Sequence, residues 1–387
     1  MTAIPRVRTQ PERWVQAPVD AAFACLNGWL DYAGSAVAHS RVTPLDFAED
    51  ALRWWEVATD RRAPSWSTSH RVMRSWPEAE LLDFSTAESG TPTLILPPQA
   101  GHASTIVDYS AGQSQVRTAR TAGLERAFVL SWQPATDQTA SSSIEDYIAI
   151  LDEAVELLGG RINLVGDCQG GWLATIYAAL RPGSVAALAV AGAPIDFHAG
   201  HSAIQEWVRS LSRNGELRFY EHLVGLGDGN HLGANQILGF KMLEPAEEIS
   251  RLAGLWGHVH DTAYAQRYTD FENWFAWGQD LPGAFYLWIV EHLFIGNELV
   301  HGELHVDGQP VDLGSIDCPV FMLAGRTDHI TPAEQMFALA DYVGTPSRDQ
   351  RQLLVDAGHL GLFMGHAALE GAWTDVFTAL AAIDSEH

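Results

Sequence analysis

The chain has 387 residues, 47% of them apolar and 18% charged. That is enough apolar material for a large packed core, and it excludes both a disordered chain and a small disulfide-stapled scaffold. With 48 acidic against 23 basic residues the formal charge is −25, a surface that repels nucleic-acid phosphates and anionic lipid and argues against either as a partner.

From the N-terminus, residues 1–14 are polar and lack the apolar stretch of a signal peptide. Residues 19–59 carry a helical period (Phe23, Leu26, Leu30, then Phe47, Leu52, Trp55). A polar, turn-rich stretch follows over 64–77. Short apolar runs at 93–97, 127–131, 162–165, 186–190, 320–324 and 352–355 then alternate with helical patterns at 144–158, 172–180, 332–342 and 366–382. Such alternation predicts a mostly parallel sheet covered by helices on both faces. The rhythm breaks between 195 and 316, a region rich in Trp, Tyr, Phe and His. The expected organisation is an N-terminal helical extension (1–78), a core (79–195 and 316–387) and a helical cap inserted between strands (196–315). The longest nearly apolar run, 185–195, is too short to span a bilayer, so no membrane association is expected and the localisation expected is cytoplasmic.

Chemistry concentrates at Gly166-Asp-Cys-Gln-Gly-Gly171, where a buried strand runs through Gly-x-Cys-x-Gly into a helix. This is the pattern of a nucleophile elbow with cysteine in the serine position, and no Gly-x-Ser-x-Gly occurs in the chain. The turn exposes Cys168 at the end of the sheet, and the backbone N–H of Gln169 at the helix start points where an oxyanion would form. The helix dipole favours thiolate, and neighbouring Asp167 works weakly against it. The alternative is a structural cysteine in an ordinary strand–turn–helix.

A nucleophile on this fold needs an acid and then a histidine later in the chain. Asp328 follows the run at 320–324 and His359 the run at 352–355, the carboxyl ends where α/β sheets place their sites. His359 is therefore the expected base and Asp328 its orienting acid, with His329 and Asp356 as rivals. The second oxyanion donor is expected after the run at 93–97, from the backbone N–H of Gln99 or Ala100.

Other groups carry less. His258 with His260, and His301 with His305, have no zinc-type companions, and no metal or other cofactor is expected. Cys25 and Cys318 read as small buried hydrophobes. The single lysine, Lys241, leaves little for Schiff-base or P-loop chemistry.

The elbow resembles the Gly-x-Cys-x-Gly-Gly box of polyhydroxyalkanoate synthases, and the likeness runs through 95–98, 129–134, 297–313, 316–319 and 324–332. Residues 282–287 and 358–365 are closer to the intracellular polyhydroxyalkanoate depolymerases, while Ala333 stands where the synthases usually have Trp. The resemblance implies an α/β-hydrolase with the triad Cys168, Asp328 and His359. It implies a hydroxyalkanoate ester, oligomer or polymer as substrate, or a CoA thioester if the chain acts as a synthase. Hydrolysis through an acyl-cysteine is the expected reaction and synthase-like transfer the alternative. A catalytically silent binding protein of the same fold is a third reading. The oligomeric state is left open, a dimer included.

Overall fold

The computed structural model of the protein describes residues 10–212 and 215–384. Eight strands form the main sheet: β1 (Arg71–Ser75), β2 (Ala79–Asp83), β3 (Thr93–Leu96), β4 (Ala127–Trp132), β5 (Ile162–Asp167), β6 (Val185–Ala191), β7 (Val320–Gly325) and β8 (Gln350–Val355). Their order across the sheet is β1-β2-β4-β3-β5-β6-β7-β8. Strand β2 runs antiparallel to both neighbours, and all other pairs are parallel. This is the α/β-hydrolase fold.

Strands β3 to β7 are buried along their whole length, which is why their sequences are continuous apolar runs without alternation. Leu94, Leu130, Leu164, Leu188 and Met322 of these strands share one core with Tyr147 and Leu151 of the helix Ile144–Leu157 and with Trp172 and Ile176 of the helix Gln169–Leu180. Burial of each large apolar side chain contributes about 1.5–3 kcal/mol. The helix Gln169–Leu180 is buried on every side beyond its first residue, so it carries no polar stripe.

Strand β1 lies in the stretch expected to be turns. Its five residues are all exposed, and an edge strand that buries neither face leaves no hydrophobic signature. The pattern at 332–342 resolves into two short helices, Ala333–Phe337 and Leu339–Tyr342. That at 366–382 opens with a π-helical turn, Ala368–Trp373, before Thr374–Asp384.

The described residues of 65–233 and 279–387 make one compact unit, which holds the sheet; those of 8–64 and 234–278 make a second. The stretch expected as a cap, 196–315, is thus divided between them. The second unit is helical, with long helices Gln10–Ala38 and Pro44–Thr59 joined by Glu247–Gly257 and Thr262–Phe275. Its buried apolar residues include Tyr32, Ala36, Ala58, Leu255, Val259 and Tyr268. The apolar residues that set its helical period, Phe23, Leu26, Leu30, Leu52 and Trp55, are exposed, so periodicity located the helices correctly but marked the outer face. Cys318 is buried as expected, whereas Cys25 is exposed on the first helix. Among the described residues, no helix is long and apolar enough to cross a membrane.

Candidate active site

Strand β5 ends at Asp167 and the helix begins at Gln169, leaving Cys168 alone to make the turn. Its backbone takes φ 50° and ψ −114°, a region that costs a residue with a Cβ about 1–3 kcal/mol. Neighbouring hydrogen bonds hold it there: Cys168 N–H donates to the Ala191 carbonyl at 2.8 Å, and Gly171 N–H to the Cys168 carbonyl at 2.9 Å. The turn closes so tightly that a Cβ on Gly166 would strike the Gly170 carbonyl. One on Gly170 would strike the carbonyl of Leu96 and come within 2.7 Å of that of Pro97. Cys168 is a free cysteine and, as a residue, partly exposed.

His359 follows β8, and its Nε2 lies 3.3 Å from Cys168 Sγ. Its Nδ1 lies 2.7 Å from Asp328 Oδ2. A carboxylate only accepts, so Nδ1 carries the donated proton and Nε2 faces the sulfur. Asp328 follows β7, and its other oxygen accepts from the N–H groups of Ile330 and Thr331, both at 2.9 Å. The imidazole sits edge-on to Phe363, ring centres 5.2 Å apart. Burial pulls the His359 pKa down, but the Asp328 charge, the Cys168 sulfur and the hydrogen bonds to both outweigh it and hold the imidazole well above its ordinary range.

Of the rivals, Asp356 has a side chain 87% exposed, 3.9 Å from Arg326. His329 belongs to the Asp328 loop, where its carbonyl accepts from Ala203 N–H at 2.9 Å. The imidazole that reaches Cys168 is that of His359, and the carboxylate that reaches this imidazole is that of Asp328.

Gln169 is the first residue of the helix, so its N–H is among those without an intrahelical partner. The loop after β3 is pinned beside it: Trp132 Nε1 donates to the Pro97 carbonyl at 2.7 Å, and Gly170 packs on the Leu96 and Pro97 carbonyls. In this loop Gln99 and Ala100 are buried, and the Gln99 side-chain amide donates to the Tyr147 hydroxyl at 2.6 Å.

Sequence reasoning missed the surroundings of Asp167. Its carboxyl is fully buried, and Gln115 Nε2 donates to it at 3.3 Å. Burial pushes its pKa up to about 8, against the opposing pull of Gln115 and His359. At neutral pH it is therefore mostly uncharged, and it does not oppose a thiolate as its position in the sequence suggests. Among the described residues, no three His, Cys, Asp or Glu side chains converge as a metal would require.

The chain is 26% identical over 279 residues to the poly(3-hydroxyalkanoate) polymerase subunit PhaC of Haloferax mediterranei, covering 70% of this chain and 55% of that protein. It is 25% identical over 279 residues to the protein of the same name from Haloarcula marismortui, covering 70% of this chain and 57% of that one. The chain thus spans little more than half the length of these curated relatives. Among solved structures it is similar to a Bacillus megaterium epoxide hydrolase, with a TM-score of 0.48 and 13% identity over 81% of this chain and 99% of that one. One family model takes in residues 57–385, the whole sheet, the elbow and both loops that meet it. On that match the chain belongs to the family described as "Protein of unknown function (DUF3141)".

Proposed function

We propose that the chain is an acyl hydrolase that forms a covalent thioester on Cys168, acting on polyhydroxyalkanoate or 3-hydroxyacyl ester oligomers. The observation that carries this reading is the unbroken hydrogen-bonded line from the Cys168 sulfur through both nitrogens of His359 to Asp328, 3.3 Å and 2.7 Å. In this reading His359 draws the proton from the sulfur, and the thiolate attacks the ester carbonyl. The N–H of Gln169, with that of Gln99 or Ala100, stabilises the oxyanion. His359 then hands its proton to the leaving alkoxide, the carbon–oxygen bond breaks, and the acyl group stays on sulfur. As a neutral base it next takes a proton from water, whose oxygen opens the thioester and restores the thiol. Asp328 holds the imidazole tautomer throughout. No cofactor enters any step.

Water as the acceptor is favoured by the depolymerase-like residues 282–287 and 358–365. A second reading, transfer from a 3-hydroxyacyl-CoA to a growing chain, is favoured by the polymerase names of the two relatives. The test is to incubate the protein separately with amorphous poly(3-hydroxybutyrate) and with 3-hydroxybutyryl-CoA. Release of soluble hydroxy acids from polymer supports hydrolysis; CoA release with polymer growth supports the second reading. Turnover retained in Cys168→Ala would sink both.

A further inference from the structure

The second unit holds a hydrogen-bonded serine, histidine and carboxylate that the thiol chemistry does not use. Ser35 Oγ lies 2.8 Å from His260 Nδ1, and His260 Nε2 lies 3.0 Å from Asp50 Oδ2. The Asp50 side chain is only 3% exposed, and its other oxygen accepts from Arg41 Nε at 2.9 Å. Tyr32 donates to Asp50 Oδ2 at 3.2 Å. A carboxylate so placed accepts only, so the His260 proton sits on Nε2 and its Nδ1 lone pair faces the serine hydroxyl. This is the protonation pattern in which an imidazole can take a serine proton.

Ser35 and His260 also line an open cavity of about 580 Å³, together with Asp31, His39, His258 and Asp261. That volume is in the range that holds a small-molecule ligand. His39 Nδ1 donates to the Ser35 carbonyl at 2.8 Å and His258 Nδ1 to the Gly254 carbonyl at 2.9 Å, which leaves the Nε2 atom of each as an acceptor. With the carboxylates Asp31 and Asp261, the lining is rich in acceptors and negative charge. It suits an uncharged or cationic ligand and repels an anionic one.

We propose that Ser35, His260 and Asp50 form a second nucleophilic centre, which takes the acyl group of a small uncharged or cationic carboxylic ester bound in this cavity. Ser35 Oγ bonds to the ester carbonyl carbon as its proton passes to His260 Nδ1. The alkoxide leaves, taking that proton, and an acyl-serine remains. Ser35 lies inside the helix Gln10–Ala38, where N–H groups are committed to the helical ladder. Its own backbone therefore supplies no oxyanion donors, and the expected behaviour is stoichiometric acylation with slow turnover.

The test uses the full chain carrying Cys168→Ala, so that the thiol cannot compete, and an uncharged alkyl fluorophosphonate. In that reaction Ser35 Oγ bonds to phosphorus, fluoride leaves and His260 takes the proton. Peptide mapping should find the adduct on Ser35, formed at least tenfold faster than on any other serine and absent in Ser35→Ala. His260→Gln, checked for folding by circular dichroism, should slow labelling at least tenfold. No adduct on Ser35, or one formed no faster than on other serines, overturns the proposal. So does an unchanged rate in folded His260→Gln. Should that variant fail to fold, the comparison among serines of the parent protein decides alone.

Discussion

Gln115 donates its side-chain amide to Asp167 at 3.3 Å, both residues fully buried, one position before the thiol. A carboxyl kept there is retained in its uncharged form, with a folded-state pKa of about 8 against an ordinary 3.8. Between those values the unfolded chain gives up this proton and the folded chain keeps it. Stability therefore falls as pH rises through that window, and the loss levels off above it.

Asp167→Asn removes that dependence. The variant should match the parent below about pH 4 and exceed it most above about pH 8, with the amide pairing to Gln115 preserved. Urea midpoints measured at pH 5, 7 and 9 check this, and parallel curves for the two proteins would show the carboxyl to be ionised in the fold.

The strained backbone at Cys168 separates chemistry from stability. Cys168→Ala keeps a Cβ at φ 50° and should lose turnover by about 10⁴-fold or more, with its melting temperature little changed. Cys168→Gly should be equally inactive yet more stable than Cys168→Ala by about 1–2 kcal/mol, because glycine adopts this conformation without the steric cost. Equal melting temperatures for the two variants would contradict the strain.

Asp328→Asn takes away the charge that, against burial, keeps His359 protonated above its ordinary range. Because the folded-state pKa of His359 is raised, its contribution to stability is complete below the unfolded value and is lost as pH climbs through the folded one. The variant should lose that low-pH contribution, and turnover should fall by about 10³-fold or more through the wrong tautomer. The alkaline limb of its pH–rate profile should also move down. A profile unchanged in position would mean that Asp328 does not control the imidazole.

Asp108, fully buried, accepts from Ser67 Oγ, Thr68 N, Thr68 Oγ1 and Ser114 Oγ at 2.6–2.9 Å. Asp108→Ala leaves those donors without their acceptor and should cost about 3 kcal/mol or more, read from denaturant midpoints. A loss under about 1 kcal/mol would mean water replaces the carboxylate.

The central strands were legible in the sequence, because strands buried on both faces must be continuous apolar runs. The sequence also determined the elbow, because Gly166 and Gly170 stand where a Cβ would strike backbone. It placed Asp328 and His359 on loops at the carboxyl ends of adjacent strands. Strand β1 was illegible, since all of its residues face solvent and nothing in them records the neighbour they pair with. So was the outward facing of Phe23, Leu30 and Trp55, since periodicity fixes a helix but not which side is covered. The raised pKa of Asp167 comes from packing and leaves no mark in the sequence, because a carboxyl's charge depends on how many atoms exclude water from it. Only tertiary structure brought Ser35, Asp50 and His260 into one line: hydrogen bonds across more than 200 residues of chain follow from how helices pack, and no local pattern carries them.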